Sequence, residues 1–190
     1  MSNEVSQAFL LADSLTSADN MGVEPLVHGL GHIAHPACLF HRFRDMPYPV
    51  LLDSSMYHPS QGRYSYLTAD PFLVIRSRSQ TLDLWWNGKH QKTRGDPWSI
   101  LKEVLRRFRI PHVTGLPPFQ GGAVGYLSYD QGRLIERLPS LARDDMSLPE
   151  MYLAMYDWAM AYDAMTGQSW LFSTGFPDGS YKHAKIRIAQ

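Results

Sequence analysis

MYLAMYDWAMAYDAMTGQSWLFS, residues 151–173, is the stretch of sequence that decides the fold. Its first part, residues 151–162, is long and apolar enough for a helix, but its three tyrosines and its tryptophan favour a strand. Thr166-Gly167 predicts a turn into the alternating run 169–173, so we interpret the whole stretch as a β-hairpin. Asp157 is unusual inside such a run, because a buried carboxylate needs a hydrogen-bond donor.

Short runs of β-branched and aromatic residues predict further strands on the N-terminal side, at residues 49–54, 63–67, 72–76, 81–86 and 89–93. Asn87-Gly88 joins the last two runs and is typical of a type I′ hairpin, whose turn positions need positive φ. Asp96-Pro97 predicts a helix start, followed by apolar residues at a period of 3.6. About seven mostly antiparallel strands with few helices predict an α+β fold.

The run FQGGAVGYLSYD, residues 119–130, is rich in glycine. We predict a strand that another backbone or a bulky group approaches closely, or simply a tightly packed central strand. The run lacks the glycine spacing and the Gly-Lys-Ser/Thr step of phosphate-binding loops, which argues against nucleotide binding.

The composition of the 190 residues is that of a globular protein, with 44 % hydrophobic and 12 % aromatic residues. Lysine plus arginine equals aspartate plus glutamate at 18 each, so we expect neither nucleic acid nor an anionic membrane as a partner. The single cysteine, Cys38, suits a reducing compartment. With no signal-like N-terminus and no long apolar run, the sequence predicts a cytoplasmic protein.

A histidine cluster (His28, His32, His35, Cys38 and His41) makes a metal-binding protein one alternative, since imidazole and thiolate are zinc and copper ligands. Gly29, Gly31 and Pro36 interrupt any helix that would place these side chains on one face, and the spacing differs from that of structural zinc motifs. We therefore expect no metal site and no cofactor in this chain.

Catalytic motifs such as a nucleophile elbow or a paired acidic motif are missing from the sequence, so we expect no catalytic residues and favour a ligand pocket or an interface. An amino-acid ligand needs an ammonium acceptor, a carboxylate donor and an aromatic wall. Ser54, the backbone near Gly62, and the Arg63-Tyr64 step offer these groups. The alternative is an ordinary loop between strands whose polar groups are satisfied internally.

Several motifs occur together in one order: LLDS at 51–54, GRYS at 62–65, PFQGGAVGY at 118–126, LPEM at 148–151 and YDWA at 156–159. Over roughly residues 45–175 the sequence resembles the N-terminal domain of the aminodeoxychorismate synthase component I family, a relative of anthranilate synthase component I. FQGG and YDWA favour the aminodeoxychorismate branch. The resemblance implies an anthranilate synthase component I N-terminal-like fold.

The resemblance also implies a reaction, in which chorismate and ammonia give 4-amino-4-deoxychorismate on the way to p-aminobenzoate and folate. Ammonia would come from a glutamine amidotransferase subunit, and a C-terminal domain would bind chorismate and magnesium. The motifs of that domain do not occur here. We therefore expect a loosely organised extension over 1–44, the N-terminal-like domain over 45–178, and the start of a truncated helix or linker over 179–190, in a chain inactive alone.

The site residues implied by the resemblance form a tryptophan-type pocket at Ser54, Gln61, Gly62, Arg63 and Tyr64. Asp53 stands where the anthranilate branch carries glutamate, and the absent domain would supply the remaining wall, so we expect weak or no tryptophan affinity. Two further alternatives are an anthranilate synthase component I N-terminal domain and a stand-alone amino-acid-binding regulatory module.

Overall fold

The computed structural model describes residues 24–190 except Tyr57, Ser60, Asn87, Ser140 and Ala142. The first half of the predicted extension, residues 1–23, and part of the predicted 87–88 turn therefore lie outside the described residues. The described residues divide into two compact units. The first unit comprises residues 24–72, 108–122 and 155–190, and the second unit comprises residues 73–107 and 123–154.

The elements follow one another in this order: β1 Leu26–His32, α1 Pro36–Leu39, β2 Val50–Leu52, β3 Tyr64–Thr68, β4 Leu73–Arg78, β5 Thr81–Trp86, β6 Lys89–Arg94, α2 Pro97–Arg107, β7 Gly122–Leu127, β8 Met151–Tyr156, β9 Trp158–Asp163, β10 Gln168–Ser173 and α3 Tyr181–Ala189. Short 3-10 helices cover Phe40–Arg42 and Tyr129–Leu134. The strands form two five-stranded sheets with few helices, so the predicted α+β class is confirmed.

The first sheet has the strand order β1-β10-β9-β3-β2, and each neighbouring pair in it is antiparallel. Leu67, Trp158 and Met160 are buried in the core of this unit. The partly buried apolar residues packed against this core are Leu30, Ile33, Leu39, Phe40, Phe43, Met46 and Leu171. Residues 26–42, expected to be loosely organised, thus form a strand, a helical turn and part of the core.

One arginine ties helix α3 to the first unit by hydrogen bonds, in addition to the packing of the buried Ala184. Arg187 donates two hydrogen bonds to the Asp157 carboxylate, both of 2.9 Å, and two to Asp70, at 2.8 Å to Oδ2 and 2.8 Å to the carbonyl oxygen. Burial lowers the pKa of Arg187, but the two aspartates more than offset this and raise the pKa above its usual value. Asp157 therefore has the donor that its burial requires.

The second sheet has the strand order β6-β5-β4-β8-β7. Strands β4, β5 and β6 form antiparallel pairs in sequence order, as the 81–93 pattern predicts. Helix α2 begins as predicted, because Asp96 Oδ2 accepts from the backbone N–H of Ser99 at 3.0 Å. Its apolar face buries Ile100, Leu101 and Val104.

Two expectations from the sequence are wrong in detail. The run 151–162 is not one strand: it breaks at Asp157 into β8, in the second sheet, and β9, in the first, so the hairpin consists of β9 and β10 alone. Strand β7 is not a central strand but lies at the edge of its sheet, and Tyr126 is 42 % exposed. Gly125 serves the predicted close approach, because a Cβ at this position would overlap the carbonyl oxygen of Tyr152.

Within the described ranges, the helices are too short or too polar to cross a membrane.

Candidate functional site

The candidate site lies where β2 ends and β3 begins, and Ser54 ties the two strands together. The Ser54 backbone N–H donates to Ser65 Oγ at 3.2 Å, and its hydroxyl donates to the Tyr64 carbonyl oxygen at 2.7 Å. Ser65 in turn donates to Asp53 Oδ1 at 2.8 Å. Because the Ser54 hydroxyl already uses its proton, it can offer a ligand only an acceptor.

Gly62 fixes the shape of the connecting loop. Its N–H donates to the His58 carbonyl oxygen at 2.9 Å, and a Cβ at this position would overlap the carbonyl oxygen of Met56. Because the overlap is with backbone rather than with a flexible side chain, a larger residue would require the loop to move. The preceding residue, Gln61, is exposed and is not brought into contact with Ser54 or Tyr64 by a described hydrogen bond.

Arg63 is held by an aspartate that sequence reasoning did not single out. Its Nε and Nη2 donate to the two carboxylate oxygens of Asp163 at 2.9 and 2.7 Å, a bidentate pair. Asp163 also accepts from the N–H of Met165 and the hydroxyl of Thr166. The Arg63 hydrogen bonds lower the pKa of Asp163 below its usual range despite burial. Arg63 therefore serves the fold, and a ligand carboxylate would have to compete with Asp163 for it.

An aromatic row begins at Tyr64. The Arg63 guanidinium lies 4.9 Å from the Tyr64 ring centroid, and Tyr66 and Phe119 continue the row with centroids 5.6 Å apart. Burial raises the pKa of Tyr66 to about 12, although the Phe119 backbone partly offsets this effect. The Tyr66 hydroxyl makes no hydrogen bond of ordinary geometry to any described residue. The alternation of Tyr64 and Tyr66 along β3 was a usable signal for the row, since residues two apart share a face.

The structure therefore joins three of the predicted residues, Ser54, Arg63 and Tyr64, at one strand junction, with Gly62 shaping the loop beside them. Ser54 and Arg63 already have partners within the fold. The arrangement offers a hydroxyl acceptor and an aromatic wall, which suits a small ligand bound weakly.

Comparison with known proteins identifies relatives of this chain. No protein-family model matches the chain. The chain is 34 % identical to anthranilate synthase component 1 of Acetivibrio thermocellus over 152 residues, which cover 80 % of this chain and 31 % of that protein. It is 35 % identical to aminodeoxychorismate synthase component 1 of Escherichia coli over 126 residues, which cover 65 % of this chain and 28 % of that protein. The chain is a homologue of component I of these two synthases.

The fold of this component I homologue agrees with a solved structure. Anthranilate synthase component I from Streptococcus pneumoniae superposes with a TM-score of 0.57 at 23 % identity, over 92 % of this chain and 36 % of that one. The homologue thus spans about a third of the length of the proteins it matches. The two synthase branches match at nearly equal identity, so the comparisons do not distinguish between them.

The histidines of the sequence cluster in this component I homologue contact different partners. His32 Nε2 lies 2.8 Å from Gln168 Nε2, His41 Nδ1 lies 2.8 Å from the Cys38 carbonyl oxygen, and His35 Nε2 lies 3.6 Å from Asp53. Within the part of the chain that the structure describes, no three His, Cys, Asp or Glu side chains are grouped as metal ligands.

Proposed function

We propose that these 190 residues form the N-terminal, non-catalytic portion of an aminodeoxychorismate synthase component I. The observation that carries the proposal is the 35 % identity over 126 residues to the Escherichia coli enzyme, together with the FQGG and YDWA motifs. In the whole enzyme, chorismate and an amino donor give 4-amino-4-deoxychorismate for p-aminobenzoate and folate synthesis. Chorismate and magnesium are bound by residues outside these 190, and the protein works in the cytoplasm.

The proposal predicts that the 190-residue chain does not turn over chorismate. Purified chain would be incubated with chorismate, an ammonium salt and magnesium, and 4-amino-4-deoxychorismate would be sought by chromatography with mass detection. The Escherichia coli component 1, assayed in parallel, shows that product would be detected. Product formed by the 190 residues alone would contradict the proposal.

A tryptophan-type amino-acid site at Ser54, Gln61, Gly62, Arg63 and Tyr64 is the second part of the proposal. The acceptor lone pairs of Ser54 and the ring of Tyr64 support it, whereas the Arg63–Asp163 pair limits its affinity. We expect a Kd above about 1 mM for tryptophan. Calorimetry on the chain, on Ser54→Ala and on the exposed control Ser55→Ala tests this. Micromolar binding lost only in Ser54→Ala would contradict the weak affinity while supporting the location.

Membership of the anthranilate branch is a second candidate function, because a relative of that branch matches over 80 % of the chain at 34 % identity. The discriminating experiment is to read the gene downstream of residue 190 and, where the frame continues, to express the whole protein. Its product with chorismate and ammonia is then identified as 4-amino-4-deoxychorismate or anthranilate. A stand-alone regulatory module would instead show a natural stop and saturable amino-acid binding.

A glutamine amidotransferase subunit is the protein partner that the proposal implies. Size-exclusion chromatography of the chain with such a subunit tests the association. Co-elution would place some of the docking surface on these residues, and separate elution would place it elsewhere in component I.

A further inference from the structure

A row of flat side chains crosses the second sheet, on the face that carries its charged residues. Tyr126 on β7 and Tyr152 on β8 stack with centroids 6.0 Å apart and planes at 12°. The Arg76 guanidinium of β4 lies 4.7 Å from the Tyr152 ring and 4.6 Å from the Trp85 ring. Trp85 stacks on His90 with centroids 4.6 Å apart. One group from each strand thus contributes to a continuous row.

The row holds Arg76 in a fixed position. Its guanidinium lies against two aromatic rings, and its Nη2 donates to the Tyr152 hydroxyl at 3.2 Å. A solvent-exposed arginine side chain loses considerable rotamer entropy when it binds a ligand. The stacking of Arg76 has already removed much of that freedom, so this cation is preorganised for binding.

Register places further cations beside Arg76. Arg76 is directly opposite Asp83 on β5, and Asp83 is directly opposite Lys92 on β6. Arg78 lies two residues farther along β4, on the same face. Asp83 faces His90 at 2.7 Å, and Arg78 contacts Asp144.

The face is concave rather than flat, because the segment before β8 covers one side of it. Asp144 anchors that segment through Arg78 and also accepts from the N–H of Ser147 at 2.8 Å. Glu150 completes the attachment by accepting from the N–H of Ser79 at 2.8 Å. The result is an open groove of about 640 Å³, a size within the range of small-molecule sites.

Cations outnumber carboxylates in the lining of this groove, although one of them, Arg78, is paired with Asp144. Arg76, Arg78 and Lys92 line it, and Asp83 is the carboxylate among its lining residues. Hydroxyl groups of Ser79, Thr81 and Ser147 also belong to the lining. The Trp85 ring already stacks against the Arg76 guanidinium and the His90 ring.

We propose that this groove, on the charged face of the second sheet, binds a small anion bearing a carboxylate or phosphate group, with Arg76 and Lys92 as its charged contacts. Guanidinium and ammonium groups together with hydroxyl donors recognise either anion through the same charge-assisted hydrogen bonds. The groove uses residues that the candidate tryptophan site does not, so the two proposals are independent.

Calorimetric titration of the full 190-residue chain tests the groove, with inorganic phosphate in one arm and malonate in the other, at constant ionic strength. We expect saturable binding of at least one anion below about 10 mM, weakened about tenfold or more by Lys92→Gln and by Arg76→Gln. Lys102→Gln removes the same charge from the exposed side of α2, outside the groove, and should leave binding unchanged. The arm that binds identifies the group recognised.

Two results would overturn the proposal. One is the absence of saturable binding of both anions, and the other is equal weakening by Lys102→Gln and Lys92→Gln, which would indicate a general charge effect. Because Arg76 packs against two rings, its variant is checked by circular dichroism. If Arg76→Gln does not fold, the anion affinity of Lys92→Gln alone tests the proposal, because Lys92 is exposed on the edge strand β6.

Discussion

Helices α2 and α3 are of similar length but are attached to their units by different forces. Within Pro97–Arg107, an apolar stripe buries Ile100, Leu101 and Val104. Within Tyr181–Ala189, the small side chain of Ala184 is the buried one, and Arg187 adds hydrogen bonds to Asp157 and Asp70. A helix held by apolar burial shows apolar residues at a period of 3.6 in its sequence. A helix held by one charged residue shows no such period, because the partners of that residue lie elsewhere in the chain.

The largest expected effect concerns the charged attachment of α3. Asp157→Ala leaves the guanidinium of Arg187 without its bidentate partner in a buried site, and we expect a loss of about 3–5 kcal/mol in the free energy of unfolding. Urea denaturation followed by circular dichroism measures it. The paired replacement Asp157→Leu with Arg187→Met removes both charges and should recover much of the loss. A single variant as stable as the parent would show that the attachment contributes little.

The next effect concerns the apolar attachment of α2. Ile100→Ala removes a side chain that is 1 % exposed and should cost about 2–4 kcal/mol through lost burial and the cavity left behind. The same denaturation assay applies, with the exposed Lys102→Ala as the matched control, expected within about 0.5 kcal/mol of the parent. Equal losses in the two variants would mean that the stripe is not what holds α2.

A smaller effect should be shared by the two helices, because each begins at a side-chain cap. Asp96 accepts from the N–H of Ser99 at 3.0 Å, and Ser180 accepts from the N–H of His183 at 3.1 Å. Asp96→Ala and Ser180→Ala should each cost about 1 kcal/mol. Thermal unfolding of the two variants measures the losses. Threonine at each position, which can still cap, should restore most of the stability, and failure to do so would point to a cause other than capping.

The smallest effect is the pH dependence of a surface pair on α2. Hydrogen bonds from Arg106 lower the pKa of Glu103 in the folded state. The resulting stability is present above the unfolded pKa of about 4.3 and is lost as the pH falls through the lower folded pKa. Because Arg106 is 73 % exposed, the contribution should be only about 0.3–0.5 kcal/mol. Glu103→Gln should remove it at pH 7, and the difference between variant and parent should shrink as the pH is lowered below about 4, as unfolding measured over this pH range would show.

The local elements of the fold could be predicted from the sequence. Alternation, the Asn87-Gly88 turn and the Asp96 cap place β4 to β6 and α2 to within a few residues, because each signal lies inside the segment it describes. Strand β1 could not be predicted, since LVHGLGH contains two glycines and its partner, β10, lies far along the chain. The break at Asp157 was hidden for a similar reason: continuous apolar character does not show which sheet each half joins.

In the candidate site, too, contacts between residues close in sequence could be predicted, and contacts between distant residues could not. Ser54 and Tyr64 are joined because they flank one short loop, which sequence proximity indicates. Asp163, the partner of Arg63, lies 100 residues away, and no local pattern links the two. The motif resemblance named Arg63 but not Asp163, the carboxylate that accepts both of its hydrogen bonds.

The attachment of α3 also has a consequence for the time course of synthesis. Arg187 is made 117 residues after Asp70 and 30 residues after Asp157, so both aspartates leave the ribosome well before the cation that pairs with them. The last strand of the first sheet, β10, ends at Ser173, so at translation rates of about 5–20 residues per second it is made only about one to three seconds before Arg187. A nascent chain that stops short of residue 187 therefore lacks the cation that pairs with the Asp157 and Asp70 carboxylates in the folded protein.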